Sequence, residues 1–571
     1  MNMTNQSISK TTQYLAWILL IGVGMGISVS VISSFFVIGV GKIADLRTEF
    51  LIGGFEMFGN EYSLDAVFWL LVAAILLSLT RFLFNLQRWH GPADSIYAAH
   101  RTDNELDMRG GFGSTLASFI SLGAGAPVGQ YGPLVHFGAT LGSFINSIIK
   151  DQKITIDTFI GCGVAAAIAA GFNAPIAGIV FAHEAVLRHF SFKAITPIAI
   201  SSITSAWFSS WIFGGEPLFK LSLVLPDLFP LAPALLMSGL LFGLISIIFM
   251  ECLFTFNKLG TNSGISFIGL SLIAAVICGV TGVFVPEVLG LGVATINKML
   301  ANDYVVLTLF LLVIAKIFAS ALSIGFGLFG GVFGPALFIG ASAGGFAAQS
   351  LAIVGITVSP QLFVIAGMAA VSAAVVGAPI SVVLIILELT GSYELAVAAM
   401  LAVVVSTLLC SLIYGHSFFD MQLTKRGIDV SKGRGNLELM NVSIIDVVND
   451  NYTKFSKDKN ASEVIKILVK AASSEGYCID EKGTFLGKCS IQKLLLSEAE
   501  QNIERCFDEA PTVLNHDASI MQAIEVASDF VGESIPVIRA NDGLLVGVVS
   551  EGDIFQAYLA TQNRIHDLEH G

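Results

Sequence analysis

The sequence predicts a polytopic α-helical membrane protein built from two related halves and followed by a soluble α/β tail. Of the 571 residues, 54% are hydrophobic and only 13% are charged, whereas about a quarter of the residues in a soluble protein are charged. The charges are also unevenly spread, because residues 431–571 carry 13 of the 30 Lys and Arg residues and 22 of the 43 Asp and Glu residues. The preceding residues therefore have the composition of a membrane domain, and the tail has the composition of a soluble one.

The N-terminal region predicts a retained membrane span. Residues 1–12 are polar and are expected to form a cytoplasmic segment, and the following stretch Tyr14–Val40 contains no charged residue. That stretch is too long for the apolar part of a signal peptide, and it lacks a small-residue cleavage site. We expect a membrane domain at residues 13–429, with halves at about 13–215 and 228–425, and then a linker at 430–440.

Long uncharged runs broken by Gly and Pro indicate interrupted helices. Ile317–Leu387 contains no Asp, Glu, Lys or Arg, and at about 20 residues per crossing it holds about three membrane segments. Gly and Pro interrupt the runs at residues 121–133 and 325–335. Backbone groups freed by such breaks are tolerated only where they are buried in protein or line a wet cavity. The pattern therefore favours short, broken helices that meet inside the protein.

An internal repeat supports the division into two halves. The segment GQYGPLVHFGATLGSF at residues 129–144 aligns with GVFGPALFIGASAGGF at residues 331–346 at an offset of 202. Further on, Glu184 and the Ala-Pro-Ile before it match Glu388 and a second Ala-Pro-Ile at an offset of 204. The alternative is that Gly-rich helices resemble one another by chance. In transporters built from repeats, the substrate site lies at the repeat interface between discontinuous helices.

Three Gly-Pro signals each precede an apolar, helix-like run, at residues 90–94, 129–133 and 331–335. A helix N-terminus presents unpaired N–H groups and about half a positive charge. Several such termini that converge can bind an anion without a full positive charge nearby. Neither repeat motif contains Lys or Arg, so an anion there would be bound by dipoles and hydroxyls. The alternative is that these glycines serve close helix packing, as we expect for Gly138/Gly142 and Gly340/Gly344.

Charge and cysteine usage exclude several other classes. The formal net charge is −13, and an acidic tail argues against nucleic-acid binding and against adhesion to anionic lipid. The seven cysteines are scattered without metal-ligand spacing, which predicts packing residues in a reducing compartment, no disulfide framework and no metal site. We therefore expect neither an enzyme nor a protein that requires a cofactor.

The motifs resemble those of the CLC chloride channels and proton/chloride antiporters. The matching segments, in order along the whole chain, are GQYGP (129–133), NAPIAG (173–178), GVFGP (331–335), ILELT (386–390) and SFFDMQLTKRG (417–427). The resemblance implies an inverted-repeat membrane fold, a homodimer, and an anion pathway in each subunit. Its partners would be chloride or another small monovalent anion and membrane lipid, in an inner or plasma membrane, with the tail in the cytoplasm.

Two motifs carry over residue by residue to the anion pathway. Gly331, Val332, Phe333, Gly334 and Pro335 match the family's GxFxP motif, whose backbone amides coordinate the central anion. Gly129, Gln130, Tyr131, Gly132 and Pro133 match the Gly-Lys/Arg-Glu-Gly-Pro motif, whose glutamate gates the pore and carries protons. Tyr131 stands in the glutamate position. Its phenol, with an ordinary pKa near 10, is neutral and cannot compete with the anion as a charge.

The sequence departs from the family at three further positions, one on the proton route and two that contact the anion. The antiporters carry an inner proton-transfer glutamate directly after another glutamate, and here Glu184 is followed by Ala185. We interpret Glu184 and Glu388 as structural partners of a helix terminus or, for Glu184, of Arg188. The family's Gly-Ser-Gly-Ile-Pro motif matches this sequence only at Gly91, and Pro92 stands in the position of its serine. On the last membrane helix, Phe419 stands in the position of the family's usual anion-binding tyrosine.

The tail contains two similar stretches, residues 441–497 and 507–562, which resemble a pair of CBS domains. Each ends in a short strand followed by an amphipathic helix. In that family Gly-x-x-Ser/Thr-x-x-Asp contacts the ribose of adenosine nucleotides, and the second stretch keeps it as Gly547, Ser550 and Asp553. The first stretch has Lys493 in the Asp position. The pair is therefore either a nucleotide sensor with at most one complete site or a purely structural dimerising pair.

Together these observations predict a passive chloride channel or uncoupled anion transporter in which Tyr131 forms the gate. The alternative within the family is a proton/anion antiporter with a variant proton route. A CBS-containing divalent-cation transporter would need a cluster of intramembrane carboxylates, and Ile317–Leu387 has none. A nucleotide-sensing receptor without transport is disfavoured by the broken, paired helices.

Overall fold

The chain divides into two units, each described here by itself. The structure, a computed structural model, describes residues 5–49, 53–57, 60–101, 103–149, 155–214, 219, 228–430 and 433–570. The membrane unit is Met1–Ile428 and the tail unit is Asp429–Gly571. The first helix begins at Asn5, within the segment expected at residues 1–12. Residues 1–4, 215, 431 and 432, which belong to predicted segments or boundaries, lie outside the described residues.

The first half of the membrane unit alternates long helices with short ones. Its helices are α1 (Asn5–Glu49), α2 (Asp65–Leu83), α3 (Pro92–His100), α4 (Met108–Gly123), α5 (Tyr131–Ile149), α6 (Ile156–Phe172), α7 (Pro175–Phe181) and α8 (Phe192–Phe213). A hairpin of β1 (Phe55–Met57) and β2 (Asn60–Tyr62) joins α1 to α2. A π-helical turn, Ala182–Leu187, continues α7.

The second half repeats this succession of helices and adds one at its end. Its helices are α9 (Ala232–Asn262), α10 (Phe267–Phe284), α11 (Val293–Leu300), α12 (Val306–Gly325), α13 (Phe333–Ile353), α14 (Pro360–Val376), α15 (Pro379–Thr390), α16 (Tyr393–Ile413) and α17 (Phe418–Thr424). Helices α1 to α8 correspond in order to α9 to α16, and equivalent pairs pack alike: α5 on α6 and α13 on α14, α1 on α8 and α9 on α16.

The composition and length of these helices fit a membrane protein. Among the described residues, seven helices are long and apolar enough to cross a membrane, and several shorter apolar helices accompany them. The first of the seven, Thr12–Arg47, contains the predicted span Tyr14–Val40. The interruptions predicted at residues 121–133 and 325–335 are confirmed, because α4 and α5 are separated within the first range and α12 and α13 within the second. Two further breaks lie at Asn173 and Gly377, whose left-handed conformations separate α6 from α7 and α14 from α15.

The two halves are inverted repeats. Gly129 and Gly331, which are equivalent at the offset of 202, form an antiparallel bridge. The N–H of Gly129 donates to the carbonyl oxygen of Gly331 at 2.7 Å, and the N–H of Gly331 donates back at 2.6 Å. Equivalent residues that pair with each other in opposite chain directions lie on a pseudo-twofold axis. The axis therefore passes between the two Gly-x-x-Gly-Pro motifs.

Each of the two repeat glutamates binds the start of a helix in the opposite half. Glu184 accepts hydrogen bonds from the N–H groups of Ile380 (3.0 Å) and Ser381 (2.7 Å) at the start of α15. Glu388 accepts from Ile176 (2.9 Å) and Ala177 (2.7 Å) at the start of α7. Each carboxylate thus satisfies the unpaired N–H groups of a helix in the opposite half. The helix-terminus interpretation is confirmed, whereas the alternative partner Arg188 pairs with Asp420 instead.

Close helix packing explains the small residues in the interior of the repeat motifs. A Cβ atom added to Gly138 would collide with the backbone of Gly163, and one added to Gly340 would collide with the backbone of Gly367. Gly142 and Gly344 face backbone carbonyls of the same two partner helices, α6 and α14. Backbones can approach this closely only without side chains, so the predicted packing role of these glycines is confirmed.

The tail is an α/β unit of two similar parts, as the sequence predicts. After α18 (Gly433–Asn441), the first part contains β3 (Lys454–Phe455), α19 (Ala461–Ala471), β4 (Glu475–Ile479), β5 (Phe485–Ser490) and α20 (Ile491–Leu495). The second contains β6 (Leu514–Asn515), α21 (Ile520–Ala527), β7 (Ile535–Ile538), β8 (Leu545–Val549) and α22 (Glu551–His570). In each three-stranded sheet the first pair of strands is parallel and the second is antiparallel.

The cysteines are packing residues. All seven are free thiols, and every one except Cys252 is buried. In the tail, burial raises the pKa of the Cys478 thiol to about 11 and that of Cys489 to about 12. Both side chains therefore stay neutral inside the core of the first part.

Candidate functional site

Three helix N-termini converge at the pseudo-twofold axis. Pro92 is the first residue of α3, Tyr131 is the first residue of α5, and Phe333 is the first residue of α13. A Cβ atom added to Gly132 would lie 3.1 Å from Cα of Gly331 and 3.5 Å from Cγ of Pro92. The three motifs that the sequence singled out therefore meet at one point. Their positive helix ends face a common centre, which is the arrangement that favours a bound anion.

The amides of the GxFxP motif divide between two tasks. The N–H of Gly331 is used by its bridge to Gly129. No side chain among the described residues caps the start of α13, and Pro335 has no N–H. The N–H groups of Val332, Phe333 and Gly334 therefore stand at the start of that helix without a side-chain acceptor, and groups of this kind can bind an anion.

A small cavity lies at this point and is almost closed. It is lined by Pro92, Tyr131, Gly132, Val135, Ile168, Phe181, Phe333, Val376 and Phe419. Its volume is about 10 Å³, near the smallest volume that holds one water molecule, about 10–15 Å³. A chloride ion is larger than water, so the cavity does not hold one in this conformation. An anion can enter it only if at least one lining side chain moves.

Tyr131 closes the cavity as part of an aromatic cluster. Its ring stacks on Phe172, with centroids 3.7 Å apart and planes 16° from parallel. It also meets Phe333 edge-on at 5.7 Å, and Phe172 meets Phe333 at 5.3 Å. Tyr131 is only 6% exposed. Such aromatic contacts contribute about 0.5–1.5 kcal/mol each beyond the burial of their area, so the closed arrangement is stabilised by specific contacts.

Some of the predicted site residues line the cavity, and the others do not. Pro92, Tyr131, Gly132, Phe333 and Phe419 line it. The remaining predicted residues, Gly91, Gly129, Pro133, Gly331, Val332, Gly334 and Pro335, belong to the turns and first helical residues around it and do not line it.

Sequence reasoning missed Val135, Ile168, Phe181 and Val376 in the lining and Phe172 behind Tyr131. A signal was present for two of these residues. Phe172 and Val376 are equivalent at the repeat offset of 204, so the symmetry places both next to the axis.

Titratable groups lie on and beside the π-helical turn that carries the position of the missing inner glutamate. Ala185 lies on the π-helical turn and is 5% exposed. Nδ1 of His183 lies 2.8 Å from the carbonyl oxygen of His189, and Nε2 of His189 lies 3.4 Å from a carboxylate oxygen of Asp157. The buried Nε2 of His183 has no hydrogen-bond partner among the described residues. Two histidines and one carboxylate thus form a cluster on and beside the π-helical turn that carries Ala185.

The candidate nucleotide residues of the tail lie in β8, which contains Gly547, and at the start of α22, where Ser550 and Asp553 are found. The hydroxyl of Ser550 donates to the Asp553 carboxylate at 2.7 Å, and the N–H of Asp553 donates to the Ser550 hydroxyl at 3.2 Å. Gly547 packs against the backbone of Asn449, where a Cβ atom would lie 2.7 Å from the carbonyl oxygen. In the first part, Lys493 forms an ion pair with Asp508 at 2.9 Å. The two equivalent positions thus differ in charge and in partner.

Comparison with known proteins identifies the family. Residues 71–411 match the family model described as voltage gated chloride channel, which is more than half of the chain. The chain therefore belongs to the voltage gated chloride channel, or CLC, family, whose members are chloride channels and proton/chloride exchangers. It is a multi-pass membrane protein of the CLC fold.

Relatives of both functional kinds are similar to the chain. The H(+)/Cl(-) exchange transporter ClcA of Vibrio parahaemolyticus is 27% identical over 455 residues, which cover 73% of this chain and 91% of that protein. The voltage-gated ClC-type chloride channel ClcB of Escherichia coli is 28% identical over 368 residues, or 62% of this chain and 85% of that protein. Among solved structures, a eukaryotic CLC transporter has a TM-score of 0.61 at 19% identity and covers 95% of this chain and 98% of its own. A slow cyanobacterial Cl−/H+ antiporter has a TM-score of 0.63 at 19% identity and covers 72% of this chain and 97% of its own.

Proposed function

We propose that this protein is a passive pathway for chloride or another small monovalent anion, as a channel or an uncoupled transporter. The observation that carries the proposal is the composition of the constriction. Of the described residues that line the cavity, none is Asp or Glu, and Tyr131 occupies the position of the family's gating glutamate. A buried phenol donates a hydrogen bond to an anion, but it does not exchange protons at ordinary pH.

The inner end of the family's proton route also lacks its carboxylate. Ala185 holds no proton, and the neighbouring Glu184 is engaged by two N–H groups and a hydroxyl of α15. Protons therefore have no carboxylate at either of the two positions that the antiporters use. Without a proton carrier at both positions, anion flow is not stoichiometrically tied to proton flow.

Chloride efflux from proteoliposomes tests the passive pathway. Vesicles loaded with chloride and given a potassium ionophore release chloride only if the protein conducts it. Passive conduction predicts the same efflux rate with and without a proton ionophore, because no protons need to be exchanged. Efflux that requires the proton ionophore would contradict the passive mechanism. Absence of efflux under both conditions would refute the proposal that the protein conducts anions.

The second candidate is a proton/anion antiporter with a variant proton route. The observation that favours it is the cluster of His183, His189 and Asp157 on and beside the π-helical turn that carries Ala185. Histidine exchanges protons near neutral pH. Replacing both histidines with glutamine would abolish proton transport if this candidate is correct, and would leave chloride flux unchanged if the passive pathway is correct.

We further propose that the tail is a pair of CBS domains and that the protein is a homodimer. The two three-stranded sheets with equal strand order support the CBS assignment, as does the structural likeness that extends over 95% of the chain. The Gly547, Ser550 and Asp553 site is proposed to take an adenosine nucleotide or to serve only the structure of the pair. Large apolar side chains exposed on α8 and α16, such as Trp207 and Leu412 at 76% and 75%, support contact with lipid or a second copy.

A further inference from the structure

Helix α12 contains one charged residue, Lys316, which directly precedes the uncharged run Ile317–Leu387. The residue is fully buried, at 0% exposure. Among the residues that the structure describes, no Asp or Glu forms an ion pair with it. A charge buried in a membrane helix is costly, and residues of this kind are usually retained because they act on a substrate or an ion. A negative partner of Lys316 would have to come from outside the described chain, as a passing anion does.

Backbone oxygens and an aromatic ring hold the ammonium group of Lys316 in place. Its Nζ donates to the carbonyl oxygen of Val288 at 2.7 Å and to that of Gly290 at 2.8 Å. It also lies 4.7 Å from the centroid of the Phe338 ring on α13. Carbonyl dipoles and an aromatic face stabilise a cation, but neither carries a net charge. The positive charge of the ammonium group is therefore not cancelled by the groups around it.

Two hydrogen bonds connect the surroundings of Lys316 to the turn that leads from α4 into α5. The N–H of Gly290, whose carbonyl oxygen binds Lys316, donates to the carbonyl oxygen of Gly125 at 2.9 Å. Ser320, one turn further along α12, donates its hydroxyl to the carbonyl oxygen of Pro127 at 2.6 Å. Lys316 is therefore placed beside the segment that ends in the first repeat motif and its tyrosine.

Lys316 is also close to the start of α13, where the N–H groups of the second motif stand without a side-chain acceptor. Leu291, in the segment that binds the lysine, has its Cδ2 3.8 Å from the point where a Cβ atom of Gly334 would lie. Phe338 follows Phe333 by five residues, which is about 7.5 Å along a helix axis. Together with the 4.7 Å from Nζ to the Phe338 ring, this places the ammonium group on the order of 10–15 Å from those N–H groups.

We propose that Lys316 is a fixed positive charge that raises the affinity of the constriction for an anion without touching it. The inference rests on the anion pathway proposed above. Neither repeat motif contains Lys or Arg, because Gln130 stands where the family has a basic residue, and none of the described residues that line the cavity is charged. At an effective dielectric constant of about 20, a charge on the order of 10–15 Å away changes the dissociation constant of a monovalent anion about five- to twentyfold.

The concentration dependence of chloride efflux from proteoliposomes containing the full chain tests this role. Lys316→Met removes the charge and the hydrogen bonds, Lys316→Gln removes the charge but keeps a donor for a carbonyl oxygen, and Lys316→Arg keeps the charge. The chloride concentration at half-maximal rate is expected to rise about five- to twentyfold in the Met and Gln variants and to stay near that of wild type in the Arg variant. The matched control is Lys298→Met, which removes an exposed lysine of α11 and should change nothing, because water and salt screen a surface charge.

Thermal unfolding of each purified variant, measured in parallel, shows which of them are folded. The inference is refuted if folded Lys316→Gln keeps the wild-type concentration dependence, because Lys316 then serves only to hold the two segments together. It is also refuted if folded Lys316→Arg binds chloride as weakly as Lys316→Met does, because the charge is then not what matters. Absence of efflux in the wild-type protein would instead refute the anion pathway itself, so the two failures are distinguishable.

Discussion

Truncation of Tyr131 is the perturbation that the structure defines most sharply. Tyr131→Ala removes the ring that stacks on Phe172 at 3.7 Å and meets Phe333 edge-on at 5.7 Å. The cavity beside it has a volume of only about 10 Å³, so the ring accounts for much of the closure. Tyr131→Phe, in contrast, keeps both ring contacts and removes only the hydroxyl. The two variants therefore separate steric closure from hydrogen bonding.

The magnitude follows from the contacts that opening must break. Two aromatic contacts at about 0.5–1.5 kcal/mol each stabilise the closed state by about 1–3 kcal/mol. At about 1.4 kcal/mol per factor of ten, Tyr131→Ala should raise the open population, and with it the flux, by about five- to hundredfold. A lost hydrogen bond of about 0.5–1.5 kcal/mol should weaken anion binding in Tyr131→Phe by about two- to tenfold.

The assay is the initial rate of chloride efflux at several chloride concentrations, with thermal unfolding of the purified protein measured in parallel. Phe137→Ala is the matched control, because Phe137 lies on the same helix, is 3% exposed and meets Phe112 edge-on at 5.1 Å, but does not line the cavity. Both alanine variants should lower stability, and only Tyr131→Ala should raise efflux. If folded Tyr131→Ala conducts at the wild-type rate, Tyr131 only fills volume and the gate lies elsewhere.

The remaining predictions concern the repeat glutamates and the tail. Glu184→Ala and Glu388→Ala should each destabilise the purified protein by about 1–3 kcal/mol, because each leaves two helix N–H groups without their carboxylate. Chemical unfolding measures this, and a loss in one variant but not in its symmetry partner would contradict the exchange between halves. ATP, AMP or adenosine at 100 times its dissociation constant should stabilise the tail of the full chain by about 2.7 kcal/mol, measured by thermal unfolding. An equal shift in Asp553→Ala, or none in wild type, would leave only the structural role.

The sequence alone predicts the features that depend on local pattern or on repetition. Gly and Pro mark the starts of α3, α5 and α13, and the similar offsets of 202 and 204 between motifs predict equivalent positions in two halves. For the partners of Glu184 and Glu388, the sequence predicts a helix terminus or, for Glu184, Arg188, and it does not decide between these alternatives. Choosing between them requires knowing that Ile380, 196 residues away in the first turn of α15, lies beside Glu184.

Contacts between distant residues account for what the sequence does not predict. Ile168 and Phe181 have the appearance of ordinary core positions in the sequence, because an apolar residue in a buried helix carries no mark of the cavity it lines. Arg426 and Asp94 are 332 residues apart, and nothing in a single sequence pairs them. The bridge that uses the N–H of Gly331 likewise depends on the pseudo-twofold axis. The sequence alone therefore does not predict that this N–H donates to Gly129 whereas that of Val332 does not.

The central claim is that anion flow through this protein is not coupled to protons, and the reversal potential under a pH gradient tests it most directly. Currents are recorded across a bilayer containing the protein, with a fixed chloride gradient and with equal or unequal pH on the two sides. A passive pathway predicts a reversal potential that equals the chloride equilibrium potential and does not change when the pH gradient is imposed. A shift of the reversal potential with the pH gradient would show stoichiometric proton exchange and would contradict the account.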